Sequence, residues 1–435
     1  MRIVLISQYF PPETGGPPNR AASLARGIRD AGHEVCVIAE KPNHPEGKIW
    51  PEYRSGLSVQ REWQGIPVIY VWVHASPKKV LWARVANHVT FMVAAILAAV
   101  RLRGAIDVVL STSPPLFAGV AGWMIARLRG AAHVFDVRDL WPDIAVAMGE
   151  LRNPAWIRFS KQLERALYRS ADAVTAVTES FCRTIASQLS PPAAVHLVRN
   201  GSHPAFFGNR GDVVSARRRV GPEVQEDRFV LAYVGNLGLA QGLDHVVEAA
   251  RILSQSADRV QIVFVGEGPA KARLQQLAAR ARLTNMSFLP RVDQERAADW
   301  MAAADALLVS LAAVDMLQQF VPSKLYDALA AGRPVVLGAR GEAERLLAAS
   351  GGGVAYPPED ALELVRVLRH LSADDALCRR LGASGATYAR EHCDRAQHAH
   401  VMVGVLESVV HARSSASENE HQVFDRERAA ATRGR

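Results

Sequence analysis

The sequence predicts an α/β protein of two Rossmann-like domains, each a parallel sheet covered by helices. Three observations predict it. At 435 residues the chain is longer than one hydrophobic core usually serves. Short apolar runs of strand length alternate with longer amphipathic stretches from end to end. Glycine-bearing turns follow several of the apolar runs, at the carboxyl edge where parallel sheets bind ligands.

The expected strands of the first half are "RIVLIS", "HEVCVIA", "VIYVWV", "DVVLST", "AHVFDV", "AVTAVT" and "AVHLVR". Those of the second half are "RFVLAYVG", "VQIVFVG", "MSFLP", "ALLVSL" and "RPVVLGA". Turn-forming and charged residues gather over 199–228, between two periodic regions. We place the first domain over 1–205 and the second over 206–390. A helix over 391–411 is expected to pack back toward the first domain, and the apolar-poor stretch 412–435 is expected to be disordered. No short-period repeat is present.

Residues 1–220 hold 27 Lys and Arg against 16 Asp and Glu, whereas residues 221–435 hold 24 against 27. The basic excess therefore belongs to the first half, which fits an anionic partner such as a membrane surface or nucleic acid, or simple solvated charge. Cysteines 36, 182, 378 and 393 match no zinc or redox spacing, so a reducing cytoplasm is expected. "RIVLIS" is too short for a signal peptide. The apolar run "VTFMVAAILAAV", residues 89–100, falls short of the ~20 residues that span a bilayer. Within 77–103 it is flanked by Lys78, Lys79, Trp82 and Arg84, as a membrane-surface helix would be; a buried helix fits as well. His33 is expected to be structural, and no histidine pair has metal-ligand spacing.

"QFVPSKLYDALAAGRPVV", residues 319–336, reads as a helix with Pro322 as its first residue, closed by Gly332 before a strand. Free N–H groups and the helix dipole favour an anion at its start, and Lys324 adds a full charge. Ser323 and Lys324 thus form a candidate phosphate site, with Asp327 one turn on as a candidate acceptor for ribose hydroxyls. An ordinary capped helix with a solvated lysine fits the same residues. Two turns point to the same ligand: Gly235 with Asn236, Gly238, Gln241 and Gly242, and Gly266 with Gly268. Neither has the spacing of an ATP-binding lysine loop or a full dinucleotide fingerprint. In the first half Gly15 and Gly16 let backbone approach a ligand before a helix. "FDVRDLWPD" then places Asp136, Arg138, Asp139 and Asp143 after a strand, suited to substrate binding or proton handling, or to surface ion pairs.

Taken together and in order, "QYFPPETGGPPNR", "AGHEVCVI", "TSPPLFAG", "VRDLWPD", "RNGS", "GNLGLAQGL", "GEGP" and "VPSKLYDALAAGRPVV" resemble the retaining glycosyltransferases of family 4. Within that family the chain is similar to the bacterial surface-polysaccharide branch that includes N-acetyl-L-fucosamine transferases. The resemblance implies the GT-B fold, in which two Rossmann-like domains face each other across a cleft. It implies a nucleotide-diphosphate sugar held by Gly235, Asn236, Gln241, Gly266, Gly268, Ser323 and Lys324, with Asp327 on the ribose and Gly15 and Gly16 over the diphosphate. Lys324 would meet the charge that develops on the leaving phosphate. Arg20, Asp136, Arg138 and Asp139 would line the acceptor side, with Arg138 and Asp139 beside the reaction. No metal or other cofactor is implied.

The chain departs from the family pattern at three places. Gln319 stands where the first of two glutamates is usual, with Asp327 at the second. Asn236 and Gln241 replace a basic pair, and Arg138 replaces a histidine. The expected function is transfer of a sugar, such as an N-acetylated hexosamine, from a UDP-sugar to a polyprenyl-diphosphate-linked acceptor, on the inner face of the cytoplasmic membrane and without nucleic acid. A nucleotide-sugar epimerase and a non-catalytic nucleotide-sugar-binding partner of a polysaccharide assembly complex fit the same residues; a dinucleotide oxidoreductase fits them less well.

Overall fold

A computed structural model describes residues 1–44, 46–78, 80–189, 195–208, 213–256 and 258–433. The chain forms two compact units. The first comprises residues 1–146, 151–198 and 396–435, and the second residues 147–150 and 199–395.

Unit one contains β1 (Arg2–Ile6), α1 (Gly16–Asp30), β2 (Glu34–Glu40), β3 (Ser58–Trp63), β4 (Ile66–Val71), α2 (Leu81–Val100), β5 (Val108–Ser113), α3 (Leu116–Arg129), β6 (Ala132–Val137), α4 (Asp143–Ala147), α5 (Pro154–Ser170), β7 (Ala173–Ala176), α6 (Glu179–Ala186) and β8 (Val195–Leu197). Its strands are ordered β3-β4-β2-β1-β5-β6-β7-β8, all parallel except β3 against β4. The central strands are buried on both faces, as helices on both sides of a parallel sheet require. Sequence reading missed β3: "SVQREW" has one buried residue, Val59, and lies at an edge where only hairpin pairing holds it. Of the expected last strand, Ala194 lies outside the described residues, as do Lys79 and 209–212 of the boundary segment.

Unit two contains α7 (Val213–Val220), β9 (Phe229–Val234), α8 (Asp244–Gln255), β10 (Val260–Val265), α9 (Lys271–Arg280), β11 (Met286–Leu289), α10 (Gln294–Ala303), β12 (Ala306–Ser310), α11 (Ser323–Ala330), β13 (Val335–Gly338), α12 (Glu342–Ser350), β14 (Gly353–Tyr356), α13 (Ala361–Ser372) and α14 (Asp375–His392). The order β11-β10-β9-β12-β13-β14 is wholly parallel and reverses direction between β9 and β12. The short β14, another edge strand, was not expected. Two Rossmann-like domains were, and both are found.

The chain changes unit after Val198 rather than 205, and again after Arg395 rather than 390. Helix α15 (Arg395–Arg433) also runs beyond 411, through the stretch expected to be disordered. Between Gly404 and Gly434 there is neither Gly nor Pro, and Ala, Arg and Glu are strong helix formers. Within unit one α15 contributes buried Ala399, Met402, Val403, Leu406 and Val409 to the core that holds Leu24, Ile28 and Val37. Gly27 of α1 lets it approach closely, since a Cβ there would lie 2.4 Å from that of Ala399. His33 ties the same helix from β2's side through Nε2 and Glu407, 2.9 Å apart.

Met402 is fully buried, so Met402→Ala should cost roughly 2–5 kcal/mol. The expected result is a lower urea midpoint for unit one, followed by tryptophan fluorescence, since seven of the eight tryptophans lie in that unit.

Candidate donor site and a polar cluster in the first unit

In unit two the loops after β9 and β10 stack on each other, and the Lys324 side chain from the start of α11 reaches the first of them, beside the point where strand order reverses. Gly235 has φ +137° and donates to the Val265 carbonyl at 2.9 Å. Gly266 has φ +152°, and a Cβ on it would lie 1.9 Å from the Gly235 carbonyl oxygen. Only glycine allows this stacking of two loop backbones. The Asn236 side chain lies between Gly238 and Gly268, reaching within 3 Å of where either would carry a Cβ. Lys271 fixes the second loop by donating to the carbonyls of Gly266 and Leu289 and to Glu267. Ser310 fixes the first by donating to the Gln241 carbonyl at 2.8 Å. Gln241 Oε1 is buried and accepts no hydrogen bond among the described residues.

Pro322 is the N-cap of α11 rather than its first residue, so the helix begins one place later than the sequence suggested, and no side chain caps it. Ser323 is exposed and leads the helix. Lys324 extends to the glycine loop, its Nζ 3.6 Å from where a Cβ on Gly235 would stand. It lies over the Tyr233 ring, 4.0 Å from the centroid, and donates to the Tyr233 hydroxyl. That hydroxyl donates in turn to the Asn236 carbonyl at 2.6 Å. Burial lowers the Lys324 ammonium to about 7. The structure thus brings Gly235, Asn236, Gln241, Gly266, Gly268 and Lys324 together, and adds Tyr233 and Lys271, which sequence reading missed. An aromatic residue two places before a strand-ending glycine was the available signal for Tyr233.

Asp327 departs from expectation. Its Oδ1 accepts from Ser202 Oγ at 2.9 Å and from the His203 amide at 3.3 Å. Burial raises its pKa despite the nearby Arg395 charge and these hydrogen bonds. Within unit two the carboxylate serves the 199–203 stretch rather than the glycine loops, because it lies one turn down α11.

In unit one Gly15 caps α1 with φ +142°, and a side chain on Gly16 would meet nothing within 4 Å. Arg20 and Asp136, expected on the acceptor side, are instead buried framework. Arg20 Nε and Nη2 donate to the two Asp136 oxygens at 2.9 and 2.7 Å, and Nη2 also reaches the Val198 carbonyl. Asp136 is 0 % exposed and accepts from Thr175 as well. Burial alone would raise its pKa, but the Arg20 charge and these hydrogen bonds outweigh it and lower it. Arg138 is largely buried and donates to the Ser113 and Pro114 carbonyls. Asp139 is raised by burial, with Arg138 opposing, and makes no side-chain hydrogen bond among the described residues.

Sequence reading missed a polar cluster at the ends of β1 and β2. Gln8 donates to Glu40 at 2.7 Å and to Asn87 at 2.5 Å, and its Oε1 meets His88 Nδ1 at 3.0 Å. Asn43 donates to Glu40, while Glu13 accepts from the Asn43 and His44 amides. Burial and the Glu13 charge push Glu40 up to about 8; burial pulls His88 down to about 4. Burial also raises Tyr9, as do Glu40 and Glu13, with Arg138 and Arg84 opposing. These residues come from four segments, so no single stretch signals them. No group of three potential metal ligands occurs among the described residues.

Residues 15–201 match the glycosyl transferase 4-like domain family, and residues 216–388 match glycosyl transferases group 1. An Escherichia coli (strain K12) chain named as a colanic acid biosynthesis glycosyl transferase, WcaI, is 25% identical over 351 residues, covering 79% of this chain and 84% of that one. Sucrose-phosphate synthase from Thermosynechococcus elongatus superposes with a TM-score of 0.75 at 18% identity, covering 94% of this chain and 99% of that chain. Anabaena HepE, solved in complex with UDP, superposes with a TM-score of 0.68 at 17% identity, covering 94% and 100%.

Two outcomes follow. Gly266→Ala forces strain and a backbone clash of about 1–3 kcal/mol on the stacked turns, so the urea midpoint of unit two should fall. Asp136→Asn leaves Arg20 buried without its counter-charge and should cost about 3–5 kcal/mol of stability. A variant that instead kept its denaturation midpoint while acceptor KM rose would return Asp136 to the acceptor site.

Proposed function

We propose, from the premise that the chain belongs to the GT-B glycosyltransferases, that it moves a sugar from a UDP-sugar to a polyprenyl-diphosphate-linked acceptor, with retention and without a metal. The donor sugar would be an N-acetylated hexosamine such as N-acetyl-L-fucosamine, and the product O-antigen, capsule or exopolysaccharide. The observation that carries this reading is Lys324 at the uncapped start of α11, beside the stacked turns at Gly235 and Gly266. Backbone amides, a helix dipole and one ammonium converge where a leaving diphosphate gains charge. The UDP named with HepE and the polysaccharide named with WcaI favour the same donor and pathway class.

Unit one would hold the acceptor, with Arg138 meeting its phosphate and Asp139 beside the reacting hydroxyl. It would do so on the inner face of the cytoplasmic membrane. Helix α2 supports this: Phe91, Ala95 and Ala99 enter the core, while Trp82, Val93, Leu97 and Val100 are about half exposed or more. The basic excess lies in the same half of the chain.

A non-catalytic nucleotide-sugar binder is the second reading, favoured by neutral Asn236 and Gln241 and by Gln319. Calorimetry with UDP, GDP, ADP and NAD, on wild type and Lys324→Ala, is the first test. Preference for UDP, weakened at least tenfold in the variant, supports the donor site; NAD binding alone, or unchanged UDP binding, overturns it. Transfer from UDP-sugars to membrane-extracted polyprenyl acceptors then separates enzyme from binder, and NMR of the product anomeric proton decides retention.

A further inference from the structure

The Lys324 ammonium makes no ion pair among the described residues. Charged groups stand on the surrounding elements, yet none shifts it: Asp327 on its own helix is engaged with Ser202 and His203, and Glu267 is paired with Lys271. Glu342 on α12 is paired with Arg345, and Asp315 precedes α11 in a short 3-10 turn. Burial is the sole cause of its lowered affinity for a proton. What holds it is Tyr233, fully buried in the core of unit two. The ring lies under the ammonium, and the hydroxyl accepts from it while donating to the Asn236 carbonyl. A phenol locked in that direction offers the lysine one neutral acceptor at the edge of the Gly235 loop. The contact favours the ammonium without supplying the opposite charge that would fix it.

We propose that Tyr233 is a positioning residue of the donor site: it sets Lys324 against the Gly235 loop without neutralising it, so that capture of a nucleoside diphosphate supplies the missing charge and takes up a proton. This rests on the donor-site reading above. A diphosphate oxygen beside Nζ favours the charged form, so the complex binds a proton that the free protein has partly lost at neutral pH. The sign follows: the folded protein holds Lys324 charged below about pH 7 and neutral above it, so binding weakens as pH rises.

The test is calorimetry of UDP binding between pH 5.5 and 9, in pairs of buffers with different ionisation enthalpies. Lys324→Met gives the baseline for ionisation of the nucleotide itself. Wild type should take up close to one proton beyond that baseline at pH 8, with affinity falling about tenfold per pH unit above pH 7. Tyr233→Phe keeps the ring and loses the hydroxyl; its affinity should begin to fall at a lower pH and lie at least tenfold under wild type at pH 8, with the gap narrowing at pH 6. Wild type without proton uptake beyond that baseline overturns the proposal. So does Tyr233→Phe following wild type at every pH while Lys324→Met is weakened, a result that leaves the donor site standing. Lys324→Met binding as tightly as wild type would instead remove the donor-site reading, and this proposal with it.

Discussion

The Gly235 carbonyl oxygen lies where a side chain on Gly266 would have to begin, and the arrangement of the candidate donor corner depends on that approach. Because neither loop carries a Cβ at the crossing, backbone from two adjacent strands can stack at one corner of the sheet. The start of α11 comes to the same corner from the other side of the strand reversal. Among the described residues Lys324 is the cation at this corner that makes no ion pair, since Lys271 is held by Glu267 and Asn236 and Gln241 bring neutral amides. Tyr233 makes that economy workable by holding the cation in place with a neutral contact.

The first unit solves a different problem with similar residues. Its sheet ends carry carboxylates inside the protein, and each is handled by a different device. Asp136 is neutralised by a forked arginine and stays charged. Glu40 is surrounded by amides from Gln8 and Asn43 and favours its proton. The Asp139 carboxylate makes no hydrogen bond among the described residues and stands near an arginine that is itself committed to backbone carbonyls. Burial alone would push all three pKa values upward, so their partners decide which remains an anion.

Much of the fold was legible because parallel strands buried on both faces read as uninterrupted apolar runs. The exceptions are physical: β3 and β14 are edge strands with few buried side chains, and hairpin or edge pairing leaves little trace in composition. The donor corner was legible as far as glycine turns and a lysine at a helix start can be read locally. Tyr233 was not, because its meaning comes from a lysine 91 positions away. Arg20 and Asp136, 116 positions apart, misled for the same reason. Each has the residue type of a binding group, and only their mutual burial reveals a structural pair. Asp327 shows how little displacement is needed: one helical turn beyond the lysine, it belongs to a different set of contacts.

Helix α15 gives the fold an order of completion. Residues 399–409 fill a core whose other walls come from α1 and from β1, β2, β4, β5 and β6, and they leave the ribosome only after all of residues 199–395. The domain that is synthesised first is therefore the last that can close its interior. Until then its early strands hold an open apolar seam, while the second domain already has every residue of its own core. A nascent chain of this protein would need protection at its beginning rather than at its growing end.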